Sequence, residues 1–192
     1  MNLPTKITVF RIILAPVFFV LYFIPEWTGA FMHQSVYILL SMFILMELSD
    51  VLDGYIARKY DMVTDLGKIL DPFSDVISRL TFFICFAFSG IMPLWTLVVI
   101  IYRELSITFM RMMMMGRGTA MAASIWGKAK AVTYTLAGIG GFVVMGIRRL
   151  GVADSLPAVE TAAVVLFVLA AFASAASFLT YFTAVRKALK AG

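Results

Sequence analysis

The chain has 192 residues, of which 62% are hydrophobic and only 14% are charged. A soluble domain of this length is about half apolar and about a quarter charged, so the composition excludes an ordinary soluble domain and indicates an integral membrane protein. The net charge of +5 does not indicate nucleic-acid binding, because the basic residues flank apolar runs, where they contact lipid headgroups.

Six apolar segments follow one another along the chain. A membrane span needs about 20 mostly apolar residues, and lipid admits an isolated spanning segment only as a helix. We therefore predict an all-α integral membrane protein, a six-transmembrane-helix bundle with a cytoplasm-facing polar cavity. The predicted helices cover residues 5–25, 35 into the segment at 50–54, 66–88, 94–116, 124–147 and 158–186, with a turn at 90–93.

No linker, low-complexity tract or internal repeat divides the chain, which predicts a single domain, 1–192. A cleavable signal peptide is the alternative for the first segment, but no small-x-small cleavage site separates it from the next one.

Positive charges predict the orientation of the helices. If the N-terminus is cytoplasmic, the outer side holds Arg148 and Arg149, and the inner side holds the larger set: Lys6, Arg11, Arg58, Lys59, Lys68, Arg111, Arg117, Lys128, Lys130, Arg186, Lys187 and Lys190. This bias predicts a multi-pass protein of the cell (inner) membrane, with both termini and the site described next on the cytoplasmic side.

Regularly spaced carboxylates lie beside these apolar segments, in the stretch DVLDGYIARKYDMVTDLGKILDPFSD at 50–75. Asp50 and Asp53 are three residues apart, and Asp71 and Asp75 are four apart, so each pair projects from one face of a helix. Converging acids repel one another unless some are protonated or cations lie between them. Such oxygen ligands suit Mg²⁺, Mn²⁺ or Ca²⁺, and intramembrane acids indicate a functional site. The alternative is a solvated helix end with capping acids.

Small residues accompany the acids. Gly54 and Ala57 follow the acids of the second helix by one turn, and Gly67 precedes Asp71 by one turn. They leave room for a bulky ligand, or alternatively allow close helix packing. Arg58, one turn after Gly54, adds a fixed cation suited to a phosphate.

Divalent cations and an arginine beside lipid indicate chemistry on phosphate. Two metal ions could bridge a diphosphate and stabilise a leaving phosphate, while an acid at the edge of the cluster acts as base towards a hydroxyl. A divalent-cation transporter is a remote alternative, since transporters place such acids near the bilayer midplane and Arg58 would oppose a cation pathway.

The stretch fits the pattern D-x2-D-G-x2-A-R-x8-G-x3-D-x3-D at every fixed position, and so resembles the defining motif of the CDP-alcohol phosphatidyltransferases. The resemblance implies a membrane enzyme, usually a homodimer, in which an alcohol attacks the β-phosphate of CDP-diacylglycerol and CMP leaves. It implies two divalent cations, Mg²⁺ or Mn²⁺, bound by Asp50, Asp53, Asp71 and Asp75, with Asp75 also the catalytic base. Positions matching residues at CDP-diacylglycerol are Thr8, Gly54, Ala57, Arg58, Thr64 and Gly67.

Other segments indicate the acceptor alcohol. The N-terminus NLPTKITVFRI is similar to the opening of phosphatidylglycerophosphate synthases, a branch of that family, with matches at Asn2, Pro4, Thr8 and Arg11. The stretch AASIWGKAKAVTY at 122–134 resembles another of their segments. The resemblance therefore implies glycerol 3-phosphate as acceptor. Its phosphate suits four cations on the fourth and fifth helices, Arg103, Arg111, Lys128 and Lys130.

Alternatives stay open at the acceptor. Val76 stands where many of these synthases carry Lys directly after the last Asp. The two lysines alternatively anchor a helix end by snorkelling, and Arg103 alternatively forms a structural ion pair with Glu104. The same chemistry with another acceptor, such as inositol phosphate, serine or another polar alcohol, is therefore the second hypothesis.

Overall fold

The computed structural model describes residues 2–62, 64–116, 125–152 and 156–191, with Arg58, Asp65, Lys68, 115–116 and 187–191 described by their backbone alone. All six predicted helices are present there: α1 (Leu3–Thr28), α2 (Met32–Lys59), α3 (Asp65–Phe88), α4 (Leu94–Gly116), α5 (Ile125–Leu150) and α6 (Leu156–Ala191). The predicted turn between α3 and α4 is confirmed, with Gly90 at a positive φ of 68°.

Four helices in the described part of the chain, α1, α2, α5 and α6, are long and apolar enough to cross a membrane. In the other two, charged residues interrupt the apolar sequence: Asp71, Asp75 and Arg79 on α3, and Arg103, Glu104 and Arg111 on α4. The all-α class and the membrane-sized apolar helices are therefore confirmed, while the six-span arrangement and the cytoplasm-facing cavity remain predictions.

The N-terminal motif starts α1. The Asn2 side chain caps the helix by accepting a hydrogen bond from the Thr5 N–H at 3.2 Å, and Pro4 stands in the first turn, where its missing N–H costs nothing. At the other end Gly29 adopts φ 69°, and its N–H bonds to the Pro25 carbonyl at 2.9 Å. This left-handed cap ends the helix.

Hydrogen bonds fix the connection between α2 and α3 at Met62 and at Thr64. Thr64 caps α3 by accepting a hydrogen bond from the Gly67 N–H at 3.0 Å. A Cβ at Gly67 would lie 3.1 Å from the Thr64 hydroxyl oxygen, so the glycine leaves this cap uncrowded. The Asn2 amide donates to the Met62 carbonyl, which joins the start of α1 to the connection.

The chain divides into two compact units, Met1–Cys85 with Gly146–Gly151, and Phe86–Met145 with Val152–Gly192. We call them the first and the second unit. The prediction of one domain over 1–192 stays a prediction.

The first unit contains α1, α2, most of α3 and the end of α5. Within it, α1 packs against α2. Its core includes Phe18 and Phe82, whose ring centroids are 4.7 Å apart. Arg149 of α5 is buried here, and its terminal nitrogens donate to the Ser35 hydroxyl at 2.8 Å and to the Tyr22 carbonyl at 2.7 Å. These bonds fix a buried cation chiefly through neutral partners.

The second unit contains α4, α6 and most of α5. Within it, α4 packs against α6. Phe86 lies at its centre, with the Phe142 ring centroid 5.2 Å away. A Cβ added to Gly141 would come within 2.5 Å of the Phe86 ring. The bare backbone at Gly141 is therefore what admits the ring.

Candidate active site

An arginine from α1 binds the acids of α2 in the first unit. Arg11 is only 2% exposed, and its two terminal nitrogens donate to different carboxylates, Asp50 and Asp53. The bond to Asp53 is 3.0 Å long, and Asp53 itself is 3% exposed. Charge-assisted bonds of this kind compensate for burying the three groups.

Thr8 brings an acid of α2 and an acid of α3 to one point. Its hydroxyl oxygen lies 2.8 Å from an Asp71 oxygen, 3.2 Å from an Asp53 oxygen and 3.1 Å from the Pro4 carbonyl. A hydroxyl has one proton to donate, so it cannot satisfy these three acceptors together. The arrangement therefore leaves carboxylate oxygens that need another cation or donor.

Asp75 of α3 pairs with an arginine of its own helix. The Arg79 Nε lies 2.8 Å from an Asp75 oxygen, and the two side chains are 19% and 33% exposed. Glu47 lies within electrostatic range of Asp75, Asp50 and Arg79, although sequence reasoning did not single it out. Its spacing of three from Asp50 was the available signal, because it places both acids on one face of α2.

The acids have a donor set that fits a hard divalent cation. Every side-chain donor is a carboxylate or hydroxyl oxygen, the acids outnumber the arginines, and Asp53 and Asp71 adjoin the same hydroxyl. In the described residues, no three Asp, Glu, His or Cys side chains are set as ligands around one point. Among the side chains that the structure describes, the cations in contact with the acids are Arg11 and Arg79. The four-carboxylate metal site stays a prediction.

The predicted CDP-diacylglycerol residues surround this cluster unevenly. Thr8 contacts the acids directly, and the Thr64 hydroxyl is engaged by the Gly67 N–H. Gly54 and Ala57 are half-buried on α2, one turn beyond the acids. The side chain of Arg58 lies outside the described residues.

A second charge cluster lies within the second unit. Arg103 Nη1 lies 2.9 Å and Lys130 Nζ 2.7 Å from the same oxygen of Glu104, which is 4% exposed. Arg103 also donates to the Ser177 hydroxyl at 2.7 Å. The alternative of an Arg103–Glu104 ion pair is therefore realised, and Lys130 joins it.

Arg111 joins this cluster through a tyrosine that sequence reasoning missed. It donates to the Tyr181 hydroxyl at 3.1 Å, and the guanidiniums of Arg103 and Arg111 lie 5.9 and 5.4 Å from the Tyr181 ring centroid. Tyr181 is 70 residues from Arg111, and no spacing signal links them. Two cations thus contact the Glu104 carboxylate and a third lies at the Tyr181 ring, which leaves an excess of positive charge among the described side chains that is suited to an anion.

Lys128 does not lie with Lys130, although both were predicted to bind the acceptor phosphate. Residues two apart on a helix do not face each other, and Lys128 is exposed while Lys130 reaches Glu104. Sequence reasoning grouped the two lysines by their position at the start of the helix, which does not separate its faces.

A cavity of about 410 Å³ opens between α4 and α6, lined chiefly by apolar side chains including Val98, Val99, Phe178 and Leu179, with Arg103 at its wall. Its chemistry suits hydrocarbon and differs from that of the predicted polar cavity.

Comparison with known proteins gives a consistent answer. Residues 1–166 match the family model for CDP-alcohol phosphatidyltransferase. The chain is 34% identical over 140 residues to a CDP-diacylglycerol–glycerol-3-phosphate 3-phosphatidyltransferase of Treponema pallidum, covering 70% of this chain and 65% of that relative.

Proteins of the same name in two other organisms are also similar. The Bacillus subtilis protein is 36% identical over 138 residues, covering 67% of this chain and 70% of the relative. The Haemophilus influenzae protein is 31% identical over 147 residues, covering 74% and 75%. The resemblance read from residues 50–75 is confirmed, and the chain belongs to the CDP-alcohol phosphatidyltransferase family.

Proposed function

We propose that this protein transfers the phosphatidyl group of CDP-diacylglycerol to glycerol 3-phosphate, giving phosphatidylglycerophosphate and CMP. The relatives named above are named for this reaction. The observation that carries the proposal is the meeting of Asp50, Asp53 and Asp71 around Thr8 and Arg11. It joins the family motif to the N-terminal motif at one place.

Asp50, Asp53, Asp71 and Asp75 would hold two divalent cations, Mg²⁺ or Mn²⁺. When bound, these ions supply positive charge that stabilises the diphosphate and the leaving CMP phosphate. Asp53 is the most buried of these acids and is oriented by Arg11 and Thr8. It is therefore a rigid part of the site.

Asp75 acts as the base that takes the proton of the acceptor hydroxyl. Its side chain is 33% exposed, so a substrate can reach it, and the ion pair with Arg79 orients the carboxylate. We propose that Arg79 supplies the positive charge that Val76 does not, since many synthases of this type carry Lys at that position.

CDP-diacylglycerol lies against the small residues near the acids, with Thr8, Gly54, Ala57, Arg58, Thr64 and Gly67 around it. Gly54 and Ala57 leave the surface of α2 bare one turn beyond Asp50 and Asp53, which allows a nucleotide to approach the helix backbone.

Glycerol 3-phosphate binds through its phosphate to Arg103, Arg111 and Lys130, with Lys128 a more peripheral contributor. Glu104 holds Arg103 and Lys130 in place without cancelling their combined charge. A phosphate suits such a cluster because arginine binds its oxygens bidentately.

In the membrane, α3 and α4 complete six spans, because charged residues in a bundle face its interior and pair there. Both termini and the acidic cluster face the cytoplasm, as the distribution of Lys and Arg favours. The protein works as a homodimer in contact with membrane lipids, as the family resemblance implies.

The test is CMP release by the purified protein with CDP-diacylglycerol, Mg²⁺ or Mn²⁺, and glycerol 3-phosphate, inositol phosphate or serine as acceptor. We expect release with glycerol 3-phosphate. Release with one of the other acceptors instead would replace the acceptor, and no release with any of them would refute the reaction.

The role of Asp75 is tested by Asp75→Asn, which should abolish turnover while the melting temperature stays unchanged. Asp61→Asn is the matched control, since Asp61 is an exposed acid of the α2–α3 connection with a positive φ of 51° that Asn tolerates. Full activity of Asp75→Asn would remove the base from the mechanism.

A further inference from the structure

We infer that Arg11 is a positioning residue that competes with divalent cations for Asp50 and Asp53 and holds these acids together while no metal is bound. The inference rests on the proposed function, because it takes the two acids as metal ligands. Sequence reasoning treated Arg11 as a topology charge and a motif match.

The contacts of Arg11 are set by charge. A lone buried guanidinium is strongly disfavoured, and Arg11 is compensated by one carboxylate at each terminal nitrogen. Its Nε is buried and has no hydrogen-bond partner among the described residues. The two carboxylates therefore hold the Arg11 guanidinium in place, and its Nε–H does not contribute.

Arg149 of the same unit provides the contrast. It is also buried, but its terminal nitrogens donate to the Ser35 hydroxyl and the Tyr22 carbonyl, with Glu26 farther away at 3.5 Å. The described hydrogen bonds of Arg149 do not involve the acidic cluster, whereas both hydrogen bonds of Arg11 do. A change in the charge of that cluster therefore affects Arg11 directly.

The oxygens that Arg11 occupies belong to the predicted metal ligands. One Asp53 oxygen accepts from Arg11 at 3.0 Å and also lies 3.2 Å from the Thr8 hydroxyl. A dication approaching these carboxylates meets both the occupied lone pairs and the charge of the guanidinium. The guanidinium and the dication repel each other across the carboxylates that they share, so the presence of Arg11 weakens metal binding while it stabilises the metal-free cluster.

The experiment measures Mn²⁺ binding by electron paramagnetic resonance of the free ion, with melting temperatures in EDTA and in Mn²⁺. It compares the purified wild-type protein, Arg11→Gln and Arg149→Gln. We expect Arg11→Gln to bind Mn²⁺ about tenfold more tightly, and to gain more in melting temperature from Mn²⁺ than the wild type. Arg149→Gln should lower the melting temperature without changing the Kd for Mn²⁺.

Unchanged or weaker Mn²⁺ binding by Arg11→Gln overturns the inference. If that variant does not fold, Arg11→Lys decides: a single ammonium cannot bridge both carboxylates as the guanidinium fork does, so we expect tighter binding than wild type, and unchanged or weaker binding again overturns it. Wild-type protein that binds no Mn²⁺ would refute the metal site and this inference together. If the wild type releases CMP but has the same Kd for Mn²⁺ as Arg11→Gln, this inference alone is refuted.

Discussion

Each compact unit contains a partly buried charge cluster, and the two clusters differ in which sign of charge is in excess. In the first unit, the carboxylates of Asp50, Asp53, Asp71 and Asp75 outnumber the arginines that contact them among the described side chains, Arg11 and Arg79. In the second unit, the cations Arg103, Arg111 and Lys130 lie around the single carboxylate of Glu104 and the ring of Tyr181. In both, the minority charge orients the majority, and the charge in excess decides which kind of ligand can bind.

The largest effect is expected where a majority charge is removed from the acidic cluster. Asp53→Asn should lower CMP release on the order of 1000-fold, because the most buried acid is the hardest for solvent to replace and single electrostatic groups in active sites are worth about 100- to 1000-fold. The measurement is the initial rate at saturating glycerol 3-phosphate. Ser49→Ala is the control one turn earlier on α2, where the hydroxyl bonds to the Leu45 carbonyl of its own helix, and it should retain the rate. More than a tenth of the activity in Asp53→Asn would show that the excess of acids is not what the reaction uses.

A smaller effect is expected where the minority charge of the second unit is removed. Glu104→Gln leaves Arg103 and Lys130 buried without their carboxylate, and breaking a buried pair from one side costs roughly 3 kcal/mol of unfolding free energy. Denaturant-induced unfolding in detergent measures this cost.

The matched variant combines Glu104→Gln with Lys130→Gln. It should recover part of the lost stability, because one uncompensated cation is removed with the carboxylate. A double variant less stable than Glu104→Gln would mean that Lys130 is held by contacts other than Glu104.

The smallest effect is expected at the exposed edge of the cationic cluster. Arg111→Gln should raise the KM for glycerol 3-phosphate about tenfold and leave kcat within about twofold, since a charge-assisted bond contributes about 1.5 kcal/mol. Arg148→Gln, which removes another exposed arginine, should leave KM unchanged. A fall in kcat with an unchanged KM in Arg111→Gln would exclude phosphate binding as the role of Arg111.

The sequence was sufficient to predict the features that depend on local spacing. The six helices follow from apolar runs bounded by turn residues, and the family follows from the fixed positions of residues 50–75. The grouping of Asp50 with Asp53 follows from their spacing of three on one helix.

The contacts between helices could not be read from spacing. Arg11 stands in an apolar run and counts there as a topology charge, and only the packing of α1 on α2 shows that it binds two acids. Arg103 and Glu104 are neighbours in the chain, and only the fold shows that Lys130 shares their carboxylate.

The double role of Asn2 has a mechanical consequence. One side chain both caps the first turn of α1 and bonds to the Met62 carbonyl of the α2–α3 connection. The connection is therefore linked through Asn2 to the first turn of α1. Thr8, in the next turn, has its hydroxyl in contact with Asp53 and Asp71. The start of α1 thus joins the α2–α3 connection to the acidic cluster through side-chain contacts at Asn2 and Thr8.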